Sequence, residues 1–228
     1  DYKEKGNPEL KHTVADNIDL RYEFFPRSSE QLMVGLFYKN IKDPIEYGLL
    51  NEGQDTYYKP MNFGTANNWG LEVDILKYFN WLGIKANYTY TYSKITTEKR
   101  VMQGSEVTTT TQSRPLFGQA AHVANISFLL KDSKHGWEGQ LAMGYTGKRL
   151  SDISKKGYTQ LDASIEKTLP RGFCLFLKAS NLLNIPVLRY VHQSERTANV
   201  DSERDNSNLV ERKSWHGQSL MIGARFRL

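Results

Sequence analysis

Six residues of this chain have side chains suited to holding a planar or anionic ligand: Tyr57, Tyr58, Arg189, Tyr190, His192 and Trp215. Aromatic rings stack on flat molecules, and a guanidinium pairs with oxyanions and lies over aromatic faces. Each of the six stands in or beside a polar stretch, and binding groups collect on segments that a rigid scaffold positions. Tyr190 and Trp215 have a second reading, as amphipathic anchors at a membrane interface. Catalytic chemistry has less to work with. His12, His122, His135, His192 and His216 show no i, i+4 ligand spacing. Cys174 is the single cysteine, which excludes an internal disulfide framework and a thiolate metal cluster. Within Phe173-Cys174-Leu175-Phe176-Leu177 it reads as a packed, inert thiol. Gly217-Gln218-Ser219-Leu220 lacks the second glycine of a nucleophile elbow. Asp19, Glu72, Asp74, Asp162 and Glu166 fall on polar strand faces with no nucleophile paired to them, so they read as water-facing charges. These residues predict binding without catalysis, and they call for no cofactor and no bound metal.

The elements that would position them are strands. Leu82, Ile84, Ala86, Tyr88, Tyr90 and Tyr92 alternate with Lys85, Asn87, Thr89 and Thr91. Ile18, Leu20, Tyr22 and Phe24 alternate with Asn17, Asp19, Arg21 and Glu23, and Trp137, Leu141, Met143 and Tyr145 with Glu138, Gln140 and Thr146. Successive side chains of a strand point to opposite faces, so each segment has one apolar and one wet face. The pattern predicts nine strands, near residues 13–25, 31–47, 58–79, 81–96, 117–131, 136–149, 157–169, 172–191 and 217–228. The third is expected to bend at Gly64 and Gly70, and the eighth to break near Asn184-Ile185-Pro186, because proline cannot donate to a ladder.

Connections alternate in length. Residues 26–30, 80, 132–135 and 170–171 read as tight turns, while 48–57, 97–116, 150–156 and 192–216 read as long polar loops. A meander of that kind gathers every short turn at one end, as in outer-membrane barrels with short periplasmic turns and long extracellular loops. Aromatics sit beside the tight turns (Phe24, Phe25, Tyr78, Phe79, Trp81, Trp137, Phe173) and toward the loop ends (Tyr88, Tyr90, Tyr92, Tyr145, Tyr158). Two such belts match the two interfaces of a membrane. A soluble sandwich with a buried aromatic core is the competing architecture.

Composition agrees with a strand-crossed membrane protein. The mean hydropathy of −0.57 resembles that of a soluble protein, but averaging a lipid face with a water face gives that value too. No run approaches the roughly 18 apolar residues of a membrane helix. Aromatics make up 12% of the 228 residues, enough for interfacial belts. The net charge of +5 comes from dispersed Lys and Arg, which reads as a solvated surface and not as a nucleic-acid footprint. The odd strand count predicts that these strands are one part of a larger barrel, since an open sheet edge in lipid is intolerable.

Several segments resemble, in order, the C-terminal barrel of TonB-dependent outer-membrane receptors. Gly6-Asn7-Pro8-Glu9-Leu10-Lys11 resembles the loop box ahead of a descending strand, and 15–25 that strand. Asn62-Phe63-Gly64 with Gly70-Leu71-Glu72, Tyr88-Thr89-Tyr90-Thr91-Tyr92-Ser93, and Tyr158-Thr159-Gln160-Leu161-Asp162 resemble later strands. Asn181-Leu182-Leu183-Asn184 is similar to the element before the last extracellular loop, and 219–228 to the terminal insertion signal. His12 replaces a usual proline and Leu228 a usual terminal aromatic.

The resemblance implies that residues 1–228 are the C-terminal portion of a single transmembrane barrel, about nine of about twenty-two strands, with the plug domain and TonB-contacting box outside it. It implies a bacterial outer-membrane receptor and importer, not an enzyme. Its partners would be outer-membrane lipid, its own plug, TonB and a small ligand such as an iron chelate, with a ferric siderophore or haem as cargo. A passive porin-like barrel without energy coupling is the alternative.

Overall fold

The structure, a computed structural model, describes residues 3–52, 55–103, 106–150, 154–155, 157–191 and 209–226. Its strands are β1 (Lys3–Glu4), β2 (Val14–Phe24), β3 (Gln31–Lys42), β4 (Ile45–Glu52), β5 (Asp55–Asn62), β6 (Thr65–Phe79), β7 (Leu82–Gln103) and β8 (Glu106–Arg114). There follow β9 (His122–Asp132), β10 (Trp137–Thr146), β11 (Ser154–Lys155), β12 (Tyr158–Thr168), β13 (Phe173–Ser180), β14 (Val187–Val191), β15 (Leu209–Ser214) and β16 (Ser219–Phe226). Among the described residues there is no α-helix, only a 3-10 turn at Pro170–Gly172. The main sheet runs β2-β3-β6-β7-β9-β10-β12-β13-β16, with β8 added to β7. All nine expected strands are on that path, and β2 and β16 are its open edges.

The chain divides into two units, Asp1–Leu20 with Leu36–Gly70 and Thr91–Gln119, and Arg21–Gly35 with Leu71–Tyr90 and Ala120–Leu228. In the second unit the register lines side chains into rows that cross the strands. Ile84, Phe128, Leu141, Ala163, Ala179 and Leu220 stand opposite one another in turn, and so do Leu82, Leu130, Gly139, Ile165, Leu177 and Ile222. Between these apolar rows lie polar ones, such as Lys85, Ser127, Ala142 and Asp162, or Asn87, Asn125, Gly144 and Gln160. Directly opposed residues share a face, so the rows alternate between the two faces of the sheet.

Among the described residues no layer covers the apolar face. Leu220 is 67% and Ile222 76% exposed, Leu82, Phe128 and Leu141 are exposed, and only Ala66, Ile95, Ala120 and Cys174 are buried apolar residues among those described. A soluble sandwich burying Leu82 and Tyr88 is thereby excluded. Exposed rings bound the band, with Trp137 at one end and Tyr88 and Tyr145 flanking Ala124 at the other. From Trp137 to Tyr145 along β10 is about 27 Å, or roughly 20 Å along a membrane normal for strands tilted near 40°. Tyr158 departs from the expected belt: it shares a strand face with Gln160 and Asp162 and lines a polar hollow with them, because its position in β12 has the parity of the wet face.

The four tight turns are in this unit, and three of them rest on left-handed backbone. Asn80 (φ 56°), Gly136 (φ 68°), Arg171 (φ 64°) and Gly172 (φ 79°) supply it, and asparagine and glycine tolerate that region best. The Asp132 carboxylate accepts from the His135 backbone N–H at 3.1 Å and pairs with His135 Nδ1 at 2.7 Å. Glu30, almost fully buried, accepts from Lys77 Nζ at 2.7 Å. That hydrogen bond, with the Lys77 and Arg27 charges, holds its carboxyl below the usual carboxylate range against the opposing effect of burial. Gly136 is constrained twice, since a Cβ there would also meet the Thr168 carbonyl oxygen at 2.8 Å. Gly136→Ala is expected to cost about 2 kcal/mol from the backbone conformation alone and to lower the thermal midpoint of the refolded barrel. Gly6→Ala, with nothing within 4 Å, is expected to leave that midpoint unchanged.

The first unit departs from the expected loops. Residues 48–57 lie largely in a β4/β5 ladder that pairs Ile45 with Asn62 through to Glu52 with Asp55. Residues 97–116 lie largely in a β7/β8 ladder that pairs Ile95 with Arg114 through to Gln103 with Glu106. Thr108-Thr109-Thr110-Thr111 is polar on both faces yet β-branched, which suits extended backbone. The third expected strand breaks at Phe63-Gly64 and continues through Gly70. A matching break falls at Asp43-Pro44, and the two breaks are tied together by Asp43 N–H donating to Gly64 O (3.0 Å) and Phe63 N–H to Pro44 O (2.9 Å). In the second unit, the eighth expected strand is interrupted between β13 and β14, as the proline requires, and 150–156 and 192–216 contain β11 and β15.

Candidate functional site

Tyr57 and Tyr58 are neighbours on β5 and point to opposite faces of the β4/β5 hairpin. The Tyr58 ring stacks on Tyr47, with centroids 4.8 Å apart and planes 14° from parallel. The Tyr57 hydroxyl donates to Asp55 at 3.3 Å, and Lys5 Nζ lies 5.1 Å from the Tyr57 ring centroid. Lys3 bonds Asp55 at 3.0 Å, while β1 pairs in parallel with β5 through Lys3–Tyr57 and Glu4–Tyr58. The two tyrosines therefore form two separate aromatic contacts rather than one clamp.

The segment resembling a loop box is docked on this hairpin by side-chain amides. Asn7 Nδ2 donates to Pro60 O at 3.0 Å, and Asn62 bonds both backbone groups of Lys11, at 2.8 and 2.9 Å. Asn62 Nδ2 also donates to Asp43 O at 2.8 Å. One amide thus fastens the incoming segment, the break at Asp43 and its own strand. A buried ion pair joins the two hairpins of this unit: Arg114 on β8 bonds Glu46 Oε2 at 2.5 Å, and Glu46 Oε1 accepts from the Phe117 N–H at 2.8 Å. No sequence signal marks Glu46 or Arg114, because their partnership depends on a ladder in a stretch read as loop.

In the second unit, Arg189 and Tyr190 lie on β14, and Trp215 follows β15. His192 falls outside the described residues. Trp215 is 56% exposed, with Lys213 Nζ 4.6 Å from its ring centroid. β14 pairs with β11 and β15, which sets Arg189 opposite Lys155 on one side and Arg212 on the other. The five described candidates thus fall into two groups, one in each unit.

Two segments singled out separately by sequence meet here. Asp162 Oδ1 accepts from the Asn181 N–H at 2.7 Å, and Asn181 Nδ2 donates to Gly217 O at 2.6 Å. Asn181 (φ 56°) and Asn184 (φ 45°) both take left-handed backbone. A hollow of about 290 Å³ opens beside them, lined by Tyr158, Gln160, Asn181, Val187, His216 and Gln218 among others. Another of about 300 Å³ lies on the polar face around Gly144, bordered by Asn125, Ser127, Tyr158, Gln160 and Asp162. The second is mainly polar, while the first also takes in Ile185 and Val187. Among the described residues no group of His, Cys, Asp and Glu is arranged to hold a metal ion.

Comparisons with known proteins agree with this architecture. Residues 1–182 match the family model described as TonB dependent receptor-like, beta-barrel. A search of curated proteins gives no match. Among solved structures, the siderophore receptor PiuA from Acinetobacter baumannii superposes with a TM-score of 0.63 at 15% identity, covering 94% of this chain and 28% of that one. The copper transporter OprC gives 0.64 at 12% identity, over 96% of this chain and 32% of that one. The ferric-catecholate import receptor Fiu from E. coli K12 gives 0.62 at 14% identity, over 96% and 28%. At such identities the likeness is one of fold, and the chain spans about a quarter to a third of the length of these structures. With nine strands on one sheet path, an uncovered apolar face and a family model matched over most of its length, the chain belongs to the TonB-dependent receptor β-barrel family.

Proposed function

We propose that this chain is the C-terminal part of the barrel of a bacterial outer-membrane importer that takes up a scarce metal chelate with energy delivered through TonB. The observation that carries the reading is the alternation of uncovered apolar rows with polar rows across β7, β9, β10, β12, β13 and β16, in a chain of this receptor family. The apolar rows would face lipid and the polar rows an interior surface, with the plug supplied by the rest of the protein. This chain then contributes wall and loops, and no reaction chemistry. Tyr57, Tyr58, Arg189, Tyr190, His192 and Trp215 are the proposed ligand contacts from the loop side.

Siderophore receptors among the structural relatives support an iron chelate as cargo. The copper transporter among them supports a second reading, a cargo built on another metal. The test is uptake of radiolabelled ferric chelates and copper by cells expressing the complete receptor, with and without TonB. Energised import predicts uptake that collapses without TonB or with a protonophore. Uptake indifferent to both would mean a passive pore.

A further inference from the structure

The two hollows of the second unit share Tyr158 and Gln160, so they form one continuous track. The amides along it all turn their nitrogens to the protein. Gln160 Nε2 donates to both carboxylate oxygens of Asp162, at 3.2 and 3.0 Å. Asn181 donates to Gly217 O and Gln218 to Leu182 O, each at 2.6 Å. Asn125 donates to Asn87 Oδ1 at 2.8 Å, and its own Oδ1 lies 3.0 Å from where a Cβ on Gly144 would stand. The carbonyl oxygens of these four amides are left to accept. Asp162 adds a negative charge, and among the described residues no Lys or Arg lines either hollow. A second observation marks the same stretch. Asn184 Oδ1, next in sequence to the lining residue Ile185, is buried and has no hydrogen-bond partner among the described residues. A buried acceptor left unbonded is costly. An oxyanion entering this track would meet only more lone pairs and a carboxylate, whereas hydroxyl or ammonium hydrogens would satisfy them.

We propose that the track binds a small ligand rich in hydrogen-bond donors and free of negative charge, a saccharide carrying hydroxyl or amino groups. Asn125, Gln160, Asn181 and Gln218 are the accepting groups, and Asp162 supplies the charge. Tyr158, which lines both hollows, offers a ring with an apolar face and a polar tip, over which an ammonium can also rest. Hollows of about 300 and 290 Å³, joined in this way, fall within the range of about 300–1,000 Å³ usual for small-molecule sites. None of these residues is among the six candidates. The chemistry is opposite in sign to that of an anionic chelate, so this is a further ligand and not the cargo proposed above. From the importer reading it takes only that the polar face lines an interior.

Hydroxyl and ammonium hydrogens both fit, and the test separates them. The complete receptor in detergent is titrated calorimetrically with maltotriose, which has hydroxyls alone, and with the glucosamine trimer, which adds ammonium groups. Citrate serves as the anionic control. Binding of at least one saccharide is expected. Gly144→Gln fills the hollow that Gly144 borders, and Gln160→Lys keeps the contact with Asp162 while replacing an acceptor by a donor. Each is expected to weaken saccharide binding about tenfold, the size of one lost hydrogen bond, and to leave any citrate binding unchanged. Both put polar side chains on the polar face, so heat-modifiable gel mobility should stay that of the unaltered receptor. Hydrogen exchange of the unaltered receptor locates the site without any variant: bound saccharide is expected to protect residues 158–162, 181–187 and 216–219. Maltotriose binding at least as tightly as the trimer assigns the donors to hydroxyls. Tighter, salt-sensitive binding of the trimer assigns them to ammonium groups. No binding of either saccharide, wild-type affinity in both variants, or protection confined to other segments overturns the proposal. Transport is not measured, so a failed importer reading would leave this result standing.

Discussion

Leu141→Arg is expected to block barrel assembly, whereas Gln140→Arg, one residue earlier on the same strand, is expected to be tolerated. Leu141 sits mid-strand on β10 between Phe128 and Ala163, within the uncovered apolar row. A cation at the lipid-facing midplane of a barrel costs about 2–4 kcal/mol, a large part of the stability of a single domain. Gln140 points to the opposite face, where its amide donates to Ser127 at 3.1 Å, and a cation there meets water. Assembly would be read from heat-modifiable mobility and surface protease resistance of the complete receptor in whole cells. Equal losses for the two variants would mean that the two faces of the sheet have been assigned the wrong way round.

Breaking the Glu46–Arg114 pair is expected to have the other large effect, confined to the hairpins. Side-chain exposure is 7% for Glu46 and 26% for Arg114. Truncating one partner of a buried pair typically costs 3–5 kcal/mol because the other charge is stranded. Water still reaches Arg114, so Glu46→Ala should fall near about 3 kcal/mol. The same change removes the acceptor of the Phe117 amide. Hydrogen exchange at that amide is expected to accelerate strongly while the rows of the second unit keep their protection. Glu46→Leu with Arg114→Met should recover much of the loss, since an apolar pair of similar volume avoids the stranded charge. A double variant no better than the singles would mean the pair matters for something besides charge compensation.

The strands of the apolar band were readable from sequence because one face is apolar and the other wet. That contrast imposes period two on segments such as Leu82 to Tyr92 and Trp137 to Tyr145. Beyond the band both faces of a strand meet water, the contrast disappears, and β8, β15 and residues 48–57 of the β4/β5 hairpin read as polar loops although they lie largely in ladders. Gly64 and Gly70 were equivalent as letters. Only the first takes a positive φ, and a Cβ on it would meet the Thr96 carbonyl at 2.8 Å, so the strand breaks there alone. The candidate residues were visible by type: Tyr57, Tyr58, Arg189, Tyr190 and Trp215 are aromatic or cationic. Their grouping was not, because it depends on pairings between β5 and β1, and between β14 and its neighbours. Arg212 lies inside the stretch 192–216 read as a loop, and only the register sets it opposite Arg189. Likewise the Asp162–Asn181 bond joins two motifs whose contact no spacing announces.

The double break at Asp43-Pro44 and Phe63-Gly64 makes the β4/β5 hairpin an interchangeable part. The bend is fixed by groups at its base: the left-handed Asp43, the Asn62 amide, Gly64 and two backbone hydrogen bonds. Beyond Glu46, which ties the foot of β4 to Arg114 and Phe117, the hydrogen bonds named above are internal to the hairpin or made to the incoming segment. Substitution or lengthening of its tip therefore leaves the ladder below undisturbed. A lineage can therefore vary the length and sequence of this finger without altering the wall strands on which it stands.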